Sequence, residues 1–347
     1  MKSDNKKSIL FFGIFDPGYS RNRVLIRGFE ENGYDISLCR VDPKKHSGIK
    51  KYIKLFKEYR KIRRTTFDYV VVAFPGHTVM WLAYLLFGRK VIFDVFISLY
   101  NSEIEDRKKS RMFSTRAVYY WSIDWFSMRL AYKLLIDTYA HRDFLSKKFG
   151  IYREKFIVVY VGSDDSVVHP LKKDRGEKLI VHFHGTGTPM QGVPYILRAA
   201  ELLRKNKDIE FRMYGISGFD TENVHFFGRF PYEDMSSKLS EADVVLGIFG
   251  NTKKAQLVIP NKVFEGLAAR KPVITAKTVA VLEIAHEDTE VILCEEANSK
   301  ALAENIVKLL YRKDIMDTVA QAGHEMYKVN LTPDVLVKNL VQCLDHK

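Results

Sequence analysis

At 347 residues, 46% of them hydrophobic, the chain is long enough for two domains of ordinary size, each with its own core. Its three cysteines, Cys39, Cys294 and Cys343, stand far apart and form no CxxC pair, which argues against a disulfide framework or a zinc site and suits a reducing cytosol. The formal charge of +13 belongs to the first half: residues 1–170 carry 31 Lys and Arg against 18 Asp and Glu, and the remainder carries 24 of each, so the first half draws phosphate-rich partners.

The opening MKSDNKKSILFFGIF has a basic head and a short apolar stretch interrupted by Asp16 and Pro17, so residues 8–12 read as a buried strand and not as a signal peptide. Residues 21–32 predict a helix closed by Gly33. A strand at 36–41, a strongly basic helix at 49–64, a strand at 69–74, a helix at 79–87 and a strand at 90–93 follow. The uncharged run 69–88 has the length of a membrane span, but Pro75-Gly76-His77-Thr78 splits it, and strand, turn, helix is the better reading. A helical zone over 115–133 precedes closing strands at 134–137 and 156–161.

The polar stretch 163–178, with Pro170 and Gly176, is the best linker. The pattern then restarts: strand 179–183, helix 194–205, strands 209–214 and 224–227, helix 232–240, strand 244–248, helix 261–269, strand 273–275 and helix 300–310. Two successive β/α series with short, uniformly apolar strands predict an α/β protein of two Rossmann-like parallel-sheet domains, with helices on both faces of each sheet. Ligands of such sheets bind beyond the carboxyl ends of the strands, which puts the expected site in a cleft between the domains.

Strand 179–183 runs into the turn Gly185-Thr186-Gly187 and a helix with Pro194 near its start. Glycines there let a backbone approach a ligand, and a helix N-terminus offers amides to an anion, although many such turns bind nothing. The true GxGxxG spacing is missing, so a dinucleotide is not expected. In PNKVFEGLAARKPVIT, Asn261 is a plausible N-cap, and Lys262 and Glu265 share one helical face. The plain reading of that pair is a surface ion pair of little worth. The functional reading is that Lys262 neutralises a diphosphate while Glu265 accepts ribose hydroxyls.

That string, followed by Glu283, resembles the donor-binding signature of family 4-like glycosyltransferases of the GT-B fold. The likeness continues in GTGTPMQGVPYILRAAELL, VHFFGRFPYEDM, EADVVLGIFG and VVYVGSDDSVVHP, and more loosely in YSRNRVLIRGFEENGYDI. It implies an acceptor-side domain over 1–168, a nucleotide-sugar domain over 169–330, and a C-terminal segment, 331–347, whose helix returns to the first domain. The donor would meet Gly185, Thr186, Arg229, Phe230, Asn261, Lys262 and Glu265. In the first domain, Gly13, Asp16, Arg21 and Arg23 would face the sugar. Asp94, His141 and Lys262 are the catalytic candidates, although a lone histidine such as His141 is more commonly a cap or a surface residue. The family pattern has two glutamates with seven residues between them; Glu265 fits the second, Leu257 holds the place of the first, and Thr186 and Gln191 stand where a basic pair usually grips the diphosphate.

The resemblance thus implies transfer of a sugar from a UDP- or GDP-linked donor, with retention of configuration, to a glycan or lipid-linked acceptor. No acidic cluster stands at a strand end, so no metal is expected, and no cofactor beyond the nucleotide-sugar co-substrate. The segment 44–64 carries ten basic residues and one acidic, with Ile49, Tyr52, Ile53, Phe56 and Tyr59 at helical spacing. Lys50, Lys51, Lys54 and Lys57 there suit an anionic membrane surface, and the same pattern also suits a sheet-covering helix with a solvated basic face. Trp121, Trp125, Met128 and Tyr132 read as a core stripe. A cytoplasmic protein, peripheral on the inner face of the membrane, is expected, and no nucleic-acid module is recognisable. The departures at Leu257, Thr186 and Gln191 leave two other readings open: a non-catalytic nucleotide-sugar-binding partner of another transferase, and a sugar-nucleotide epimerase.

Overall fold

The computed structural model describes residues 6–172 and 176–345. The chain divides into two compact units, Met1–Val161 with Pro333–Lys347, and Gly162–Thr332.

The first unit runs β1 (Ser8–Ile14), α1 (Ser20–Glu31), β2 (Asp35–Val41), α2 (Lys50–Ile62), β3 (Tyr69–Val72), α3 (Met80–Phe87), β4 (Val91–Asp94), α4 (Thr115–Leu130), β5 (Lys133–Ile136), α5 (Tyr139–Phe149) and β6 (Phe156–Val158). Its strands form one parallel sheet in the order β2-β1-β3-β4-β5-β6. Alternation along β1 serves both faces: Phe11 meets Phe29 of α1 edge-on at 6.0 Å, and Phe12 meets Phe87 of α3 at 5.2 Å. This is why the strand reads as an unbroken apolar run. The expected helix over 115–133 ends at Leu130, and β5 takes Lys133. Helix α5 has no counterpart in the sequence reading; the Thr138 hydroxyl caps it by accepting from the His141 amide at 3.0 Å.

The second unit runs β7 (Leu179–His184), α6 (Val193–Leu202), β8 (Ile209–Tyr214), β9 (Val224–Phe227), α7 (Met235–Ser240), β10 (Val244–Leu246), α8 (Lys253–Leu257), α9 (Asn261–Ala268), β11 (Val273–Ala276), β12 (Ile292–Cys294), α10 (Ser299–Tyr311) and α11 (Lys313–Asn330). The sheet is again parallel, in the order β12-β11-β10-β7-β8-β9. Three of these elements depart from expectation. Between β10 and α9, where no element was expected, stands α8, capped by Thr252, whose hydroxyl accepts from the Ala255 amide at 3.2 Å. Strand β12 and helix α11 were not expected, and α11 is tied to the start of the unit by the Tyr327 hydroxyl, which donates to the Ser163 carbonyl at 2.8 Å.

The last helix, α12 (Pro333–Asp345), belongs to the first unit and packs on α1. A Cβ at Gly28 would stand 2.3 Å from the Pro333 carbonyl oxygen and 2.4 Å from a Val337 methyl, so the close crossing requires glycine. Asn32 Nδ2 donates to the Asp334 carbonyl at 2.9 Å, and Lys7 pairs with Asp345 at 3.0 Å.

Candidate functional site

In the second sheet the strand order reverses between β7 and β10, and such a reversal opens a crevice at the carboxyl ends of the strands. The turn Gly185-Thr186-Gly187 leaves β7 at that point. The amides of Thr186 and Gly187 both donate to Gln191 Oε1, at 3.1 and 2.9 Å. A Cβ at Gly185 would lie 2.6 Å from that oxygen and 3.0 Å from Lys262 Nζ, so glycine leaves room for both groups. Two N–H groups converging on one oxygen, with an amine alongside, are an arrangement able to hold an anion, and here the Gln191 side chain fills it.

Lys262 is buried, its Nζ has no hydrogen-bond partner, and it lies 3.9 Å over the centroid of the Phe183 ring. Burial pulls its pKa down to about 7, and the nearby charge of Glu265 acts in the opposite direction. Glu265 is buried as well, and its Oε2 meets His184 Nε2 at 2.8 Å; His184 Nδ1 in turn lies 3.0 Å from His182 Nε2. The surface ion pair suggested by their spacing is therefore absent: α9 turns both residues inward, one over Phe183 and one onto His184. Asn261 is a further correction. Pro260 holds the N-cap position, no side chain caps α9, and Asn261 is its first helical residue.

Aromatic rings line the neighbouring strand ends. The Tyr214 ring stacks on Phe227 and on His182, each with centroids 4.8 Å apart, and Phe230 meets it edge-on at 5.3 Å. Phe230 is half-buried, and Arg229 is exposed beside it. Leu257 is buried on α8.

In the first unit, the expected residues at the strand ends are largely committed to one another. Arg21 lies in the first turn of α1 and is fully buried. Its Nε reaches both oxygens of Asp94 at 3.2 Å, its Nη2 reaches Oδ1 at 3.1 Å, and its Nη1 donates to the carbonyls of Val159 at 2.5 Å and Tyr160 at 3.2 Å. Burial raises the Asp94 pKa against the pull of Arg21, with the charge of Asp137 adding to the rise. His141 is also buried, on α5. Its Nδ1 meets Asp137 Oδ1 at 2.7 Å, and its Nε2 has no hydrogen-bond partner. Gly13 lies within β1. Asp16 accepts from the Gly18 amide at 2.9 Å, and Arg23 follows on α1.

Lys50, Lys51, Lys54 and Lys57 lie along α2. The apolar residues of that helix divide: Leu55 is buried and Tyr52 and Tyr59 pack on the core, whereas Ile49, Ile53 and Phe56 face outward. On α3, Trp81 and Leu85 are also exposed, and Trp81 meets the Tyr52 ring at 6.5 Å. The supposed core stripe divides too. Met128 is buried and Trp125 packs on the core, but Trp121 and Tyr132 are exposed at 37% and 48%. Among the described residues no helix is long and apolar enough to cross a membrane, and no group of three or more His, Cys, Asp and Glu is disposed to hold a metal ion.

The sequence reading missed His182, His184 and Tyr214. Two histidines alternating along one strand, in HFHG, put both rings on one face of β7, which was the available signal.

Known structures share this architecture. A sucrose-phosphate synthase from Thermosynechococcus elongatus superposes with a TM-score of 0.76 at 12% identity, covering 98% of each chain. HepE of Anabaena, solved in complex with UDP-glucose, gives 0.70 at 13% identity, over 98% of this chain and 100% of its own. A glycosyltransferase from Rickettsia africae gives 0.68 at 15%, over 99% and 100%. Two parallel sheets of this topology make the chain a member of the GT-B class of folds. Residues 177–312, which contain the turn, α9 and both histidines, match the family described as glycosyl transferases group 1. Over that stretch the chain is similar to group 1 glycosyltransferases. An uncharacterized glycosyltransferase of Methanocaldococcus jannaschii is 23% identical over 194 residues, 51% of this chain, and the match spans about half the length of that curated relative.

Proposed function

We propose that the second unit binds a nucleotide-sugar donor, with the diphosphate on the Gly185–Gly187 turn and Lys262, the ribose on Glu265, and the base beside Arg229 and Phe230. The observation that carries this reading is the convergence of the Thr186 and Gly187 amides on one oxygen beside the unpartnered Lys262 amine. UDP is the first nucleotide to test, since HepE is solved with UDP-glucose; a GDP-linked donor is the alternative.

In this proposal the hard step is loss of a diphosphate as positive charge builds at the anomeric carbon. Fixed amides and a cation at the leaving group stabilise that charge without rearrangement. A buried amine with its pKa near 7 takes up a proton when a dianionic group arrives, so Lys262 becomes that cation on binding. We assign the transfer a retaining course, with Lys262 and not a metal ion neutralising the leaving group. His141 is the better placed catalytic candidate of the first unit, because Asp137 holds its Nδ1 and leaves Nε2 to accept a proton. Asp94 has both oxygens on Arg21, and we assign it the shaping of the strand end.

The acceptor we propose is lipid-linked and met at an anionic membrane surface. Ile49, Ile53 and Phe56 face outward among Lys50, Lys54 and Lys57, a combination that inserts apolar side chains while the lysines meet headgroups.

One observation favours a second reading. Gln191 already occupies the amide pair, so a chain in which it stays there would be a non-catalytic partner of another transferase. The experiment is release of free nucleotide from a panel of UDP- and GDP-sugars, with and without membrane extract. Release supports transfer; binding without release under every condition selects the partner reading; neither binding nor release removes both.

A further inference from the structure

Glu265 Oε2, His184 Nε2, His184 Nδ1 and His182 Nε2 form one hydrogen-bonded line, with contacts of 2.8 and 3.0 Å. The protons in it are constrained. A carboxylate accepts, so His184 donates to Glu265 through Nε2; in the tautomer with one proton on His184, Nδ1 is an acceptor and His182 donates its Nε2–H. Burial holds His182 well below the ordinary histidine range, so that ring is neutral and has a single N–H to place. Stacking on Tyr214 at 4.8 Å fixes the plane of the His182 ring. In that tautomer donation runs from His182 through His184 to Glu265.

The line ends on one carboxylate oxygen. Oε2 is engaged, and no described residue donates a hydrogen bond to Oε1. A carboxylate buried to 3% exposure would otherwise turn about its last bond and lack a fixed donor. We propose that His184 is a positioning residue of the nucleotide site: it holds Glu265 at one oxygen, with His182 setting its proton, so that the other oxygen is presented to the ribose hydroxyls. The inference rests on the reading of Glu265 as the ribose contact, and its signature is selectivity for ribose over deoxyribose.

The test is calorimetric titration of the full chain with UDP and 2′-deoxy-UDP, and with GDP and 2′-deoxy-GDP, read as the ratio of the two dissociation constants in each pair. The wild-type chain should favour the ribose form of its nucleotide about tenfold, equivalent to ~1.4 kcal/mol. His184→Phe keeps a ring and loses both nitrogens, and its ratio should fall toward one. His184→Gln, whose amide still donates toward Glu265, should retain most of the selectivity. If the phenylalanine variant does not fold, His184→Asn carries the same test, since its shorter amide falls short of Oε2. An unchanged ratio in a folded variant without the donor overturns the role of His184 and leaves the ribose contact standing. A wild-type ratio of one, or no binding of any of the four nucleotides, removes the ribose contact and this inference together.

Discussion

The Lys262 amine stands 3.9 Å above the centre of the Phe183 ring, buried and without a hydrogen bond. An amine in that setting is costly to charge until an anion arrives. In the unfolded chain its pKa is the ordinary 10.5 and in the folded chain about 7, so between those values the unfolded state binds more protons. Stability contributed by this group therefore rises with pH from about 7 to about 10.5. Lys262→Met should raise the unfolding free energy at pH 7 by about 1–3 kcal/mol, the usual cost of an unsatisfied buried polar group, and flatten that rise. Urea unfolding at pH 7 and pH 9 checks both. The same variant should lose nucleotide binding, and the wild type should take up a proton on binding, measured by titration in buffers of different ionisation enthalpy.

Glu265→Ala should weaken nucleotide binding by about 1.5–3 kcal/mol, the range for hydrogen bonds to a charged group. Circular dichroism is expected to show a folded chain, because His184 is partly solvated and can turn to water. Unchanged affinity would take Glu265 out of the site.

Arg21 and Asp94 form a pair with side chains 1% and 0% exposed. Removing one partner strands the other charge, so Arg21→Ala should cost about 3–5 kcal/mol, whereas replacing both by apolar residues of similar volume should cost much less. Denaturant midpoints of the single and double variants give the comparison.

Charge reversal of Lys50, Lys51, Lys54 and Lys57 to Glu should abolish flotation with anionic liposomes, and salt should weaken the wild-type interaction as the Debye length shortens. Ile53→Ser together with Phe56→Ser should reduce the salt-resistant part. Flotation indifferent to both sets of changes would discard the membrane surface.

Much of the fold was legible in the strands. Parallel strands covered on both faces are uniformly apolar, and FFGI, YVVV, LIVHF and the run VVLGI stand out for that reason. The missed elements lack that mark. The buried positions of α5 are His141, Leu145 and Phe149, the first of them polar; α11 is different, since its buried Met316, Val319, Ala320, Gly323 and Tyr327 recur at helical spacing and were an available signal. Strand β12 has three residues, too few for a pattern.

The sequence by itself determined the two β/α series, the glycine turn after β7, and the shared helical face of Lys262 and Glu265, because strand burial and helical spacing are local properties written in order along the chain. Only the tertiary structure decided that this face turns inward, that Gln191 fills the amide pair, and that Glu265 leans on a histidine 81 positions away. Burial and proton placement depend on which distant groups fold over a side chain, and no local spacing encodes that.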